Sequence, residues 1–90
     1  MDKNINIDHK MIEYILSHTK TLHSVQKEII KFNENLGHIK RLQISILQGN
    51  FLQFLIKMKN FKSCLELGTF TGFSTLSMAL SLPKNGRVHT

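Results

Sequence analysis

The stretch CLELGTFTGFSTLSMAL, residues 64–80, holds the residue types and spacings on which chemistry can be built. An apolar run ends in a carboxylate, Glu66, and turns through Gly68 and Gly72 into a segment that is apolar at helical spacing. In open α/β sheets, ligands sit beyond the carboxyl ends of the strands, where the first strand-to-helix turn meets a helix N-terminus. Gly68 follows the strand at once, where a side chain would block a ligand or the turn needs a positive φ. Gly72 opens the helix and permits close packing. Ser74, in the first turn, can offer a hydroxyl or a backbone N–H, and the helix dipole favours negative charge there.

The spacing is G-x-x-x-G. A dinucleotide site has G-x-G-x-x-G, with a middle glycine that lets backbone approach pyrophosphate. Thr69 and Phe70 occupy that place here. A carboxylate at the strand end repels pyrophosphate and welcomes a cation such as an amino acid's ammonium group. These features favour a ligand with positive charge and no phosphate, and S-adenosylmethionine, with a sulfonium and an ammonium, fits. A purely structural glycine turn is the competing reading.

The elements that position these residues follow from periodicity. Asp8 can cap a first helix with Met11, Ile12, Ile15 and Leu16 on one face. A second carries Leu22, Val25, Ile29, Phe32 and Leu36, with Gly37 where a left-handed C-terminal cap belongs. The polar tail FNENLGHIK reads as a loop. A third helix is expected from about Gln48 to Asn60, apolar over a wide arc through Phe51, Leu52, Leu55, Ile56 and Met58, and so buried on more than one side. KSCLEL, residues 62–67, lacks alternation and reads as a buried parallel strand. A fourth helix from Gly72 should bury Phe73, Leu76 and Leu80, with Ala79 beside them, and end at Pro83. Lys84-Asn85-Gly86 is turn chemistry, and Arg87–Thr90 begins a second strand. Strand, glycine turn, helix, turn and strand make a right-handed βαβ unit with parallel strands. Two such strands are not a finished sheet, so the pattern is that of an incomplete domain.

Composition narrows the classes. Ninety residues make one small domain or part of a larger one. Cys64 is the single cysteine, which excludes an internal disulfide and suggests a buried thiol in a reducing compartment. MDKNINIDHK has no apolar core of a secretory signal, and no stretch approaches a membrane span. A cytoplasmic protein without membrane contact is expected. Twelve Lys and Arg against six Asp and Glu give a net charge of +6, but the lysines are dispersed and only Lys40 and Arg41 adjoin. Solvated helix faces explain this better than a nucleic-acid stripe. His18 and His23 are not at helix metal spacing, and no metal-ligand set is read in the chain.

The segment LELGTFTGFS, Leu65 to Ser74, closely resembles the first motif of S-adenosylmethionine-dependent O-methyltransferases of the caffeoyl-CoA and catechol type, whose form is near LEIGTFTGYS. The likeness continues into ALSLPKNGRV. Upstream, QISILQGNFL resembles that family's MQVSPEQGQFL at a matching separation. It is strong from Leu42 to Thr90 and loose before that. The resemblance implies an α/β fold: N-terminal helices over residues 1–60, then, over 61–90, the first βαβ unit of a Rossmann-like class I methyltransferase fold, incomplete at its C-terminus, as one domain of 90 residues. It implies cofactor contacts at Ile44 (backbone, near the methionine end), Glu66 (the methionine amino group), Gly68 and Thr69 (the turn) and Ser74 (the helix-start hydroxyl). Simple packing is the other reading of Ile44.

The resemblance also implies a small hydroxyl-bearing acceptor, catechol-like or of acyl-CoA type, a divalent magnesium-like metal, and a homodimer for the complete enzyme. There are departures. Leu42 replaces the family's methionine, and Ile46-Leu47 replace Pro-Glu. No Asp or Glu follows Glu66, so neither the family's ribose-gripping acid nor its metal ligands are present. The expectation is an N-terminal portion of an O-methyltransferase that is not competent alone and contains no catalytic residue of its own. The alternative is a small basic helical module, for interaction or nucleic-acid binding, with a structural glycine turn.

Overall fold

A computed structural model describes residues 6–90. Residues 1–5 of the polar N-terminal stretch, Lys3 among them, lie outside the described residues. The elements run α1 (His9–Ser17), α2 (Ser24–Asn33), a 3₁₀ helix (Gly37–Leu42), α3 (Ile46–Lys59), β1 (Ser63–Leu65), α4 (Phe73–Ala79) and β2 (Arg87–His89). β1 and β2 pair in parallel, with Ser63 opposite Arg87, Cys64 opposite Val88 and Leu65 opposite His89. The ladder reaches one bond further at each end, from Arg87 N–H to the Lys62 carbonyl and from Glu66 N–H to the His89 carbonyl, each 2.8 Å. α4 is the crossover and packs against α3, α2 and β2. The expected βαβ unit is therefore present.

Caps set the helix starts. Asp8 accepts from Met11 N–H at 2.9 Å and begins α1 where expected. α3 begins two residues before the expected Gln48, because Ser45 and Gln48 form a reciprocal capping box. Its end at Asn60, φ 53°, is a left-handed cap. α2 differs from the periodicity. It ends at Asn33, and Leu36 belongs to the turn that follows. Gly37 has the expected left-handed backbone, φ 65°, but opens the 3₁₀ helix rather than closing α2. Six of the nine residues of the expected loop FNENLGHIK are thus helical.

The buried faces also differ. On α2 it is Gln26 and Asn33 that turn inward, while Val25 and Phe32 are exposed. On α4 the buried residues are Phe73, Ser77 and Met78; Leu80 is exposed. Ser77 accounts for Gln26 on α2 and for the inner face of α4. It is fully buried, its hydroxyl accepts from Gln26 Nε2 at 3.0 Å and donates to the Phe73 carbonyl at 2.7 Å, and its own carbonyl accepts from Gln53 Nε2 at 2.8 Å. Gln26 Oε1 in turn accepts from His23 N–H at 2.9 Å and completes the cap of α2. Side chains from α2 and α3 thus converge on one residue of α4. Gly49 of α3 makes room: a Cβ there would stand 3.2 Å from the Phe73 ring and 3.3 Å from Ser77 Oγ.

β1 was expected to be buried, yet Leu65 is 76% exposed and Leu67 is 91% exposed. α3 covers one side only: Ile56 is buried, and Phe51, Phe54 and Met58 are exposed. Cys64 is a free, half-buried thiol. Large exposed apolar faces drive association. Residues 1–90 in isolation are expected to self-associate in sedimentation velocity, and Leu67→Lys to lessen it; a compact monomer with a sharp melt would contradict this. Ser77→Ala strands the buried Gln26 amide without an acceptor, a cost of about 1–3 kcal/mol. Amide exchange across α4 is expected to quicken by about tenfold or more. Unchanged exchange would remove Ser77 from the centre of the packing.

Candidate functional site

The chain leaves β1 at Leu65 and turns back into α4 through two glycines of positive φ, Gly68 (99°) and Gly72 (93°). Phe70 between them also has positive φ, 51°, which is uncommon for a bulky residue. The turn is closed by Gly72 N–H donating to the Thr69 carbonyl at 3.0 Å. Space is open beside Gly68: a Cβ built there meets no atom within 4 Å.

Facing the turn is the segment between the 3₁₀ helix and α3. Asn33 Nδ2 donates to Gln43 Oε1 at 2.6 Å, and Ser45 caps α3. Ile44 is held between these two fixed points. Between segment and turn lies a cavity of about 310 Å³. Ile44, Glu66, Gly68, Thr69 and Ser74 all line it, so the structure brings the five residues singled out in the sequence to one place. Leu42, Gln43, Leu52, Leu67, Phe70 and Phe73 complete its wall and make it largely apolar around one carboxylate.

That carboxylate is half-buried and hydrogen-bonded by three hydroxyls. Ser74 donates to Glu66 Oε2, and Thr75 donates to Oε1. Thr90 donates to Oε1 at 2.8 Å. Since the Thr90 proton goes to Glu66, the 2.6 Å contact between Thr69 and Thr90 has Thr69 as donor. Burial pushes the Glu66 carboxyl up, but hydrogen bonds from Ser74, Thr75 and Thr90 outweigh it and hold it below its ordinary value of 4.5. The group is an anion at neutral pH.

Thr75 and Thr90 were not anticipated from the sequence. Thr90 reaches Glu66 only because the parallel register sets the two strand ends side by side. Ser74 was expected to offer its hydroxyl to a ligand; here the hydroxyl rests on Glu66. The five histidines, given no role from sequence, include two at helix ends. His23 Nδ1 accepts from Val25 N–H, and His18 donates to the Tyr14 carbonyl while stacking on the Tyr14 ring. Among the described residues no three His, Cys, Asp or Glu side chains cluster as metal ligands, and no helix is long and apolar enough to cross a membrane.

Fold and cavity together define a Rossmann-like α/β unit with a cavity at the carboxyl end of its first strand. The O-methyltransferase family model matches residues 16–90, and the chain belongs to that family. It is 51% identical over 49 residues to the catechol O-methyltransferase of Niastella koreensis, covering 54% of this chain and 22% of that protein. Two solved structures share its fold over 84% of the chain. The Bacillus cereus O-methyltransferase in complex with SAH has TM-score 0.70 and 30% identity. The O-methyltransferase TomG of Streptomyces achromogenes, in complex with SAM, has TM-score 0.74 and 26% identity. The chain spans 34% of each of these two proteins. These matches do not favour the alternative of a basic helical module.

The sign of the Glu66 shift gives a testable pH dependence. A carboxyl whose folded value lies below its unfolded value adds stability above the unfolded value and loses it as pH falls through the folded one. Between about pH 5 and about pH 3 the urea midpoint of the wild type should fall further than that of Glu66→Gln. Parallel declines would show that Glu66 carries no such linkage.

Proposed function

We propose that the cavity receives the methionine end of S-adenosylmethionine, and that the protein to which this chain belongs transfers a methyl group to a hydroxyl of a small acceptor. One observation carries the reading: an ionised carboxylate, Glu66, stands in a largely apolar cavity beside the open space at Gly68. When bound, S-adenosylmethionine supplies a methyl group activated by its sulfonium. Glu66 accepts the ammonium group, with charge-assisted bonds of about 1.5–3 kcal/mol. Gly68 and Thr69 let the backbone of the turn lie against the ligand. Ser74 exchanges its bond to Glu66 for one to the ligand, and the backbone at Ile44 closes the opposite side. These residues orient the donor, and orientation is a large part of what methyl transfer needs from a protein.

The same reading takes residues 1–60 and 61–90 as two parts of one domain, a homodimer as the working form, and the cytoplasm as its setting. The acceptor is taken as catechol-like or of acyl-CoA type. A divalent metal belongs to the family resemblance, but the described residues offer no ligand cluster to hold one. The chain has no acid after Glu66 to grip ribose hydroxyls. Loss of such contacts weakens binding by about ten- to a hundredfold.

Residues 1–90 alone should therefore bind S-adenosylmethionine weakly and transfer no methyl group to a catechol with magnesium. Nuclear magnetic resonance titration should move the amides of Ile44, Gly68, Thr69 and Ser74. Glu66→Ala and Gly68→Val should abolish those shifts. Binding that survives in both variants would sink the site assignment, and turnover by the chain alone would refute the claim that it is incomplete.

A further inference from the structure

We propose that Thr75 and Thr90 are positioning residues that saturate one oxygen of Glu66 and so present the other to the cavity for a cationic group. The nature of that group rests on the reading of the preceding section; the clamp itself does not. The two carboxylate oxygens have different surroundings. Oε1 accepts from Thr75 of α4 and from Thr90, which follows β2. Neither threonine lines the cavity. Oε2 accepts from Ser74 alone, and Ser74 does line it.

The clamp is anchored at three points of the fold. Glu66 N–H is bonded to the His89 carbonyl, so the backbones beside Glu66 and Thr90 are locked together by strand pairing. Thr75 lies in the first turn of α4, next to Ser74. Thr69, in the glycine turn, donates to Thr90 and thereby leaves the Thr90 proton for Glu66. A carboxylate so held cannot rotate its two oxygens freely. Only the Ser74 bond can be given up without losing the strand or turn contacts, and giving it up leaves a charged acceptor facing the ligand space. Preorganisation of this kind raises affinity by removing the cost of ordering the group on binding.

The test is a carbon-13 titration of the Glu66 carboxylate, which reads that group apart from His89, the titratable residue of β2. Thr75→Val and Thr90→Val keep side-chain shape and remove the hydroxyl. Each should raise the Glu66 midpoint, and Thr75→Ser and Thr90→Ser should restore it. Thr90 is exposed and outside the helix, so its variant reports even where Thr75→Val fails to fold. In a parallel titration with S-adenosylmethionine, both valine variants should need several-fold more ligand than wild type to shift Gly68 and Ser74, and the serine variants should match wild type. Midpoints unmoved by either valine substitution, or valine variants that bind as wild type does, would overturn the clamp. The midpoint pattern without any binding by wild type would uphold the clamp and count against the cofactor reading alone.

Discussion

Ser77 is the residue on which the arrangement depends. A fully buried hydroxyl has to be bonded in both directions, as donor and acceptor, or its burial is costly. Here the donor goes to the Phe73 carbonyl one turn back, and the acceptor takes the amide of Gln26. The Ser77 carbonyl then takes Gln53. Three helices are thereby tied at one point with directional bonds. Because α4 is anchored there, its N-terminal end is placed too, and with it the glycine turn. Because α3 is anchored to the same point, its cap at Ser45 and the preceding Ile44 come to stand opposite that turn. The cavity is the space left between two ends whose far sides share one buried junction.

Within the cavity, the balance of forces on Glu66 decides what the site can hold. Partial burial alone pushes the carboxyl up. Three hydroxyls reverse that shift. All three come from uncharged side chains, so the net negative charge of the carboxylate is kept rather than cancelled by a salt bridge. Leu42, Leu52, Leu67 and Phe73 line the cavity beside it.

Much of this was legible in the sequence, and what was not has physical reasons. Local signals were readable: the cap at Asp8, the glycines of the turn, and the parallel pair of strands implied by one crossover. The residues named for the site do meet: four belong to one short motif, and the anchoring of α3 and α4 brings Ile44 opposite it. The ties that fix the packing were not readable. Gln26 and Ser77 are 51 residues apart. Apolar spacing pointed to Val25 and Phe32 as the inner face of α2, but Gln26 turns in to Ser77 and Asn33 to Gln43, each one position further along and so about 100° round the helix. A polar partner at long range overrides a helix's apolar face, and periodicity carries no record of it. The capping box of Ser45 and Gln48 starts α3 two residues before the start read from the apolar run.

The interior and the surface divide the work in an unusual way. Among the described residues the most buried side chains include Gln26, Asn33, Ser77 and Ser81 alongside Ile56, Phe73 and Met78. Apolar packing is non-directional and tolerates sliding, whereas a bonded amide or hydroxyl admits few geometries. Gln26 and Ser77 are joined by such bonds and hold α2 in register on α4 even though the core is small, whereas Ser81 Oγ and Asn33 Oδ1 have no hydrogen-bond partner among the described residues. The larger apolar surfaces, on β1 at Leu65, just beyond it at Leu67, and along α3 at Phe51, Phe54 and Met58, remain exposed. Leu67 also lines the cavity, so covering it would touch the site, whereas Leu65, Phe51, Phe54 and Met58 do not line it. The geometry of the site and the coverage of the sheet therefore meet at Leu67.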